Sequence, residues 1–277
     1  MRTDGKRLRN CPPMYMVAAH FMAKRSDAMN MIELDIPLQP IQEYLHRVRK
    51  EGHNVSHLTL FIAAILRTAA EYPFINRFVV NKRIYARKGF QVGMVVLKPG
   101  DMDGTMNKIH LEVEDDVFTV QDKVDAYIAQ NRGSGDTNST DKIIRILLSI
   151  PGLCRLGVNL LKCLDKHGML PKGIIDASPF HTSLVITNLA SIRTNHIYHH
   201  IYDFGTTSMA FAMGNTRMVA KQVKGEIVYE KCLPIGLVLD ERICSGTYYA
   251  AAFRRLKEYL AKPELLEGPA KVVNREI

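Results

Sequence analysis

Leu233-Pro234-Ile235-Gly236-Leu237-Val238-Leu239-Asp240-Glu241-Arg242-Ile243-Cys244-Ser245-Gly246 reads as an apolar strand that runs into a charged turn. The helix Thr247 to Lys262 follows, with Tyr249, Phe253, Leu256 and Leu260 on one face and Arg254, Arg255, Lys257 and Glu258 toward water. A strand end that delivers Asp240, Glu241 and Arg242 together beside a helix start is a place suited to chemistry.

Working outward from this unit, Ser56 is a good N-cap for a helix in which Leu58, Phe61, Ile62, Ile65, Leu66 and Ala69 keep helical spacing until Pro73. Ile32, Leu34 and Ile36 alternate with Glu33 and Asp35, a strand broken by Pro37 and Pro40. Ile41, Tyr44, Leu45 and Val48 then form the stripe of a surface helix. Tyr15 to Met22 is apolar enough for a strand, and Arg77 to Arg87 with Phe90 to Leu97 predicts a hairpin about Lys88-Gly89. Residues 101 to 116 read as acidic and irregular, Val117 to Asn131 as a helix, and Arg132 to Asp141 as a polar loop. Phe180 to Leu189 is a strand, Ser191 to Phe204 a loop dense in His and aromatics, and Thr207 to Met213 and Met218 to Val223 are further strands. Pro263 onward reads as a frayed tail.

The organising segment resembles the C-terminal active-site segment of the catalytic domain of 2-oxo acid dehydrogenase acyltransferases, relatives of chloramphenicol acetyltransferase. That family's pattern is Asp-His-Arg-x-x-Asp-Gly. Asp240, Arg242 and Gly246 match it, while Glu241 stands where the catalytic His belongs and Ser245 where the Asp belongs. The helix opened by Ser56, its stop at Tyr72-Pro73, and Asn76 and Phe78 beyond it are similar to the same family at corresponding places. The resemblance is strongest over 55 to 98 and 180 to 262. It implies an α/β fold, a two-layer sandwich of the chloramphenicol acetyltransferase-like type, with a mixed sheet and helices on one side. It also implies one domain over residues 1 to 277 with a helical insertion at about 133 to 175. The expected assembly is a homotrimer with active sites between subunits, the expected substrate is coenzyme A as acyl-CoA, and no metal is required. Full-length family enzymes carry lipoyl and subunit-binding domains ahead of this one. Residues 1 to 30 are too short for either, so the expectation is no lipoyl domain in this chain, and a protein that stands alone or joins a dehydrogenase-type complex in trans.

Acyl transfer from coenzyme A to a thiol or hydroxyl needs a base for the acceptor's proton and a donor for the tetrahedral oxyanion. The resemblance carries the donor onto Thr187, within Ile186-Thr187-Asn188-Leu189, and leaves Glu241 at the position of the base. Free Glu titrates near 4.3, His near 6.5 and a thiol near 8.5, so proton transfer from thiol to carboxylate is uphill by about 5.7 kcal/mol, against about 2.7 for imidazole. A Glu base is therefore handicapped by about 3 kcal/mol. In the alternative, Glu241 and Arg242 form a charge pair that stabilises the turn, in a trimeric scaffold or regulatory subunit that no longer turns over. Four further residues are weaker candidates. His181 lies six residues before Thr187, on the same strand face but roughly 20 Å away. His199 and His200 open a run, His199 to Gly205, that superficially resembles a His-His-x-x-x-Asp-Gly signature with its Asp misplaced; with His196 they also form a weak metal-ligand group. Cys244 is a nucleophile only if its side chain reaches the site, and otherwise a small buried residue.

Composition bounds the partners. The chain has 37 basic and 28 acidic residues, a net charge of +9, which suits an anionic partner such as a phosphorylated cofactor. No Lys/Arg run with interleaved aromatics appears, so no nucleic-acid partner is expected. Cys11, Cys154, Cys163, Cys232 and Cys244 are odd in number and form no CxxC pair, which with no signal peptide in Met1 to Asn10 suits a cytoplasmic protein. Ile143 to Leu164 is the most hydrophobic stretch, but Arg145, Arg155, Lys162 and Pro151-Gly152 divide it into two short helices. These read as an insertion packed on the domain, with a membrane or partner surface as the alternative.

Overall fold

The strand that ends in the charged turn is longer than its apolar core alone. It runs Glu226–Asp240, and its first half pairs with a neighbouring strand while its second half enters the main sheet. The computed structural model describes residues 2–97, 104–132, 149 and 151–276. In chain order the strands are β1 (Gly5–Arg7), β2 (Met29–Pro37), β3 (Arg77–Val80), β4 (Arg83–Arg87), β5 (Phe90–Leu97), β6 (Gly104–Leu111), β7 (Leu184–Asn188), β8 (Met209–Met213), β9 (Arg217–Val223) and β10 (Glu226–Asp240). The helices are α1 (Pro13–Phe21), α2 (Leu38–Lys50), α3 (His57–Glu71), α4 (Val117–Arg132), α5 (Leu153–His167), α6 (Lys172–Ala177) and α7 (Gly246–Ala261).

The main sheet has the order β2-β10-β8-β7-β5-β6, with β9 on β10. β7 runs parallel to β5 and β8 and the other pairs are antiparallel, so the sheet is mixed. Strand alternation sorts the residues cleanly. Leu184 and Ile186, Met209, Phe211 and Met213, and Ile235, Leu237 and Leu239 enter one core with the buried faces of α2, α3, α4 and α7. The opposite face carries Val185, Thr187, Ala210, Ala212, Gly236 and Val238, where Ala210 and Val238 pack with Ile201 from a loop. Helices on one face and a loop on the other confirm the two-layer sandwich. β1, β4 and β3 form a separate three-stranded sheet.

Several local expectations are corrected. Of the strand expected at Tyr15 to Met22, Tyr15 to Phe21 lie in helix α1 and Met22 caps it, because Pro13 at the first turn presets a helical φ and loses no hydrogen bond there. The hairpin lies within Arg77 to Arg87, turning at Asn81-Lys82 with φ of 49° and 60°, the geometry of a two-residue hairpin turn. Phe90 to Leu97 leaves that hairpin and pairs with β6 and β7 in the other sheet. Residues 104 to 111 are a strand, burying Ile109 and Leu111. The stretch after Pro263 is tied down: Leu266 is buried, the Asn274 amide donates to Ala70, and Glu276 pairs with Arg77. Of the loop expected at Arg132 to Asp141, Arg132 ends α4 and the rest lies outside the described residues, as does the first short helix except for Ser149. The second short helix is α5, anchored by Asp165, whose carboxylate accepts from Arg2 at 2.7 Å. Among the described residues no helix is long and apolar enough to cross a membrane.

Candidate active site

The charged turn is built around a buried carboxylate. Asp240 is fully buried and accepts from Arg242 Nε at 2.8 Å and Nη2 at 2.7 Å, a bidentate pair within the turn. Arg25 is itself buried and places its Nε 3.5 Å from the same carboxylate. Arg242 Nη1 donates to the Met22 carbonyl, and the Ser245 amide donates to the Tyr15 hydroxyl, so the first turn of α1 and the residue that follows the helix lock the turn. The expected Glu241–Arg242 pair is therefore corrected: Arg242 turns inward to Asp240. Glu241 is half-buried and accepts from Asn30 Nδ2 at 2.7 Å on the adjoining strand β2.

Ser245 has a local task. Its hydroxyl accepts from the Tyr248 amide at 3.2 Å, which makes it the N-cap of α7, a position that Asp fills equally well. Gly246, expected to shape the turn, is not sterically demanded there: a Cβ would meet nothing within 4 Å. Cys244 is fully buried, and burial pushes its thiol up to about 12, which leaves no thiolate for nucleophilic attack. His181 is not on β7 but in the turn before it. It is buried with Nδ1 2.7 Å from Ser178 Oγ and Nε2 3.3 Å from Asp165, and burial holds its pKa below the ordinary imidazole value.

Thr187 lies on the helix-free face of the sheet and lines a cavity of about 200 Å³. Sheet register sets its distance from Glu241. Thr187 pairs with Ala212 and Ala212 with Gly236, so Asp240 stands two strands across and four residues along. At about 4.8 Å per strand and about 3.3 Å per residue, the separation within one chain is roughly 16 Å. The turn and the threonine are thus not brought together within one chain.

His199 and His200 do line the Thr187 cavity, with Phe180, Tyr202 and Phe204. Their loop lies flat on the sheet because two glycines admit it. A Cβ on Gly236 would sit 2.2 Å from the Ile197 carbonyl oxygen, and one on Gly214 2.2 Å from the His196 nitrogen. The loop is also gripped by Arg25, which donates to the carbonyls of Tyr202 and Gly205 at 2.8 and 3.1 Å. Asp203, the misplaced Asp of the expected signature, accepts the backbone amides of Arg25 and Ser26 and is structural. His196 points Nε2 at Glu33, 3.5 Å away, and among the described residues no three metal-type ligands converge. A second cleft of about 390 Å³ adjoins the first at Phe204 and is rimmed by Lys24, Lys82, Lys162 and Lys166 over Arg25 and Arg242. Arg25, Tyr15 and Asn30 were not singled out by sequence reasoning; no motif marks them, and only the fold brings them to the turn.

No protein-family model and no curated protein matches the sequence. Solved structures do match in fold. A probable dihydrolipoamide acetyltransferase from Listeria monocytogenes superposes with a TM-score of 0.59 at 12% identity, over 93% of this chain and 94% of that one. The cubic core of the pyruvate dehydrogenase multienzyme complex gives 0.58 at 14% identity, over 94% and 93%. A chloramphenicol acetyltransferase gives 0.57 at 10% identity, over 92% and 99%. The chain has the chloramphenicol acetyltransferase-like fold that its sequence led us to expect.

Proposed function

We propose that this protein transfers an acyl group from acyl-coenzyme A to a thiol or hydroxyl acceptor, with Thr187 donating to the oxyanion. The observation that carries this reading is the place of Thr187: on the helix-free sheet face, with no hydrogen-bond partner for its hydroxyl among the described residues, it lines a cavity with Phe180, Val185 and Phe204. Such walls exclude water and strengthen a single hydrogen bond to developing charge. The lysine-rimmed cleft that adjoins at Phe204 supports a substrate that carries phosphates. The cavity itself has room for the reacting end of an acyl thioester, with the bulk of the cofactor lying outside. Because Glu241 and Thr187 lie far apart in one chain, any joint role requires Glu241 of a neighbouring copy, which fits a homotrimer with sites between subunits.

A second reading has its own support. Asp240 and Arg242 are consumed by each other and Ser245 by a helix cap, so the retained motif residues serve architecture, as in a trimeric scaffold or regulatory subunit. The test is coenzyme A release from acetyl-CoA with a panel of thiol and hydroxyl acceptors, for the native protein, Thr187→Val and Glu241→Ala. Acceptor-dependent release that falls by about 10²–10³ in Thr187→Val supports acyl transfer. Binding of acetyl-CoA without release in any variant supports the scaffold.

A further inference from the structure

The cavity around Thr187 contains an imidazole whose tautomer is fixed by the backbone. His199 Nδ1 lies 2.8 Å from the carbonyl oxygen of His200. A carbonyl has no proton to give, so Nδ1 carries the hydrogen and the neutral ring keeps its lone pair on Nε2. The ring of His199 is stacked on that of His200, with centroids 5.0 Å apart and planes 20° apart, and His200 is buttressed edge-on by Tyr202. The loop behind them is held against the sheet at Gly214 and Gly236 and by Arg25, so the ring sits on a fixed support. The titratable groups lining the cavity are His199, His200 and Tyr202, and among the described residues no Asp, Glu, Lys or Arg lines it.

We propose that His199 is the general base of this site, supplying in the same chain the imidazole that position 241 lacks. The inference rests on the acyl-transfer reading above. His199 Nε2 takes the proton of the acceptor's S–H or O–H as its sulfur or oxygen attacks the thioester carbonyl. The resulting oxyanion accepts from Thr187. Collapse re-forms the carbonyl and breaks the C–S bond, and the departing coenzyme A thiolate takes the proton back from the imidazolium. The enzyme ends as it began, and no further reactant is needed. Glu241 of the same chain, held by Asn30 outside this cavity, has no part in the proton transfer.

The decisive experiment compares the full-length native protein with His199→Asn and Glu241→Ala, using acetyl-CoA and the acceptor panel across pH 5 to 9. Asn places an amide N–H where Nδ1 stands, so it keeps the loop contact while removing the base; thermal melts check that the fold is retained. In His199→Asn, kcat should fall on the order of 10²–10³ with KM for acetyl-CoA within about threefold, and the acid limb of the pH profile should vanish. Added imidazole should restore part of the rate in His199→Ala. A native enzyme that turns over while His199→Asn keeps its rate and acid limb overturns the assignment alone. So does collapse in Glu241→Ala with His199→Asn intact. No release by the native protein overturns the acyl-transfer reading itself, and the assignment with it.

Discussion

Replacing Asp240 by Asn removes one charge and no bulk, so it isolates what the buried carboxylate does. Among the described residues Asp240 is the carboxylate paired with both buried guanidiniums, Arg242 at 2.7 and 2.8 Å and Arg25 at 3.5 Å, while Asp203 and Asp165 act on Arg25 from further off. In Asp240→Asn both buried arginines lose their nearest counter-charge, and Arg25 keeps only the more distant Asp203 and Asp165. Removing one partner of a buried, hydrogen-bonded pair costs about 3–5 kcal/mol. A protein of this kind has about 5–15 kcal/mol in all, so the loss is a large share of it. At about 2–4 °C per kcal/mol for a chain of this size, the midpoint should drop by about 6–20 °C. Glu241→Gln is the control one residue away: it exchanges one half-buried hydrogen bond to Asn30 and should cost about 1 kcal/mol or less. Urea and thermal unfolding of the two variants give the answer directly. An Asp240→Asn protein within about 1 kcal/mol of native, or a Glu241→Gln protein that loses as much, would refute the assignment of the turn's inner carboxylate to architecture.

The cap at Ser245 should be worth about 1 kcal/mol, so Ser245→Ala loses that in urea titrations while Ser245→Asp stays within a few tenths. Gly236→Ala forces a methyl to 2.2 Å from the Ile197 carbonyl, so it should cost about 1–3 kcal/mol and raise hydrogen exchange across residues 194–204. Gly246→Ala, where nothing lies within 4 Å, should be neutral or stabilising by about 0.4–1 kcal/mol. Lys108 is buried with Nζ donating to Ile175 at 2.6 Å and His181 at 3.1 Å, and burial lowers its pKa from 10.5 to about 8. Between those values the unfolded chain binds the extra proton, so stability should rise from pH 8 toward pH 10 by up to about 3 kcal/mol and be flat below pH 8 on its account. Lys108→Met should lack that rise, as measured by unfolding at each pH.

How far the fold was legible depended on whether local pattern and tertiary environment agreed. Ser56 capped its helix as expected because a hydroxyl three residues before a free amide needs no distant partner. Strand β10 was legible as a short continuous apolar run stopped by a charged turn, and helix α7 because period 3.6 runs through it. Phe90 to Leu97 defeated local reading for the opposite reason. It sits two residues after β4, yet its partners are β6 and β7, the latter about ninety residues away, and only the sheet as a whole decides that choice. Tyr15 to Met22 was misread because apolar content was weighed above Pro13, whose ring decides the backbone before any side chain packs.

The site divides along the same line. Asp240 and Arg242 stand in the expected motif, but the sequence could not say that they face each other or that Arg25, more than two hundred residues earlier, completes the cluster. Arg25 is the physical link between motif and cavity. One edge of its guanidinium lies by Asp240, and its other nitrogens hold the carbonyls of Tyr202, Asp203 and Gly205, which fix the far end of the loop that carries His199 and His200. The motif carboxylate therefore acts on the cavity at one remove, by orienting the arginine that shapes its wall. That accounts for the pattern of match and mismatch at the turn. Asp240 and Arg242 are held in the turn by each other, whereas Glu241 projects toward Asn30 and carries no such load. If the loop held by Arg25 carries the base, the site does not depend on an imidazole in the turn. The proton transfer then belongs to the loop that the turn supports.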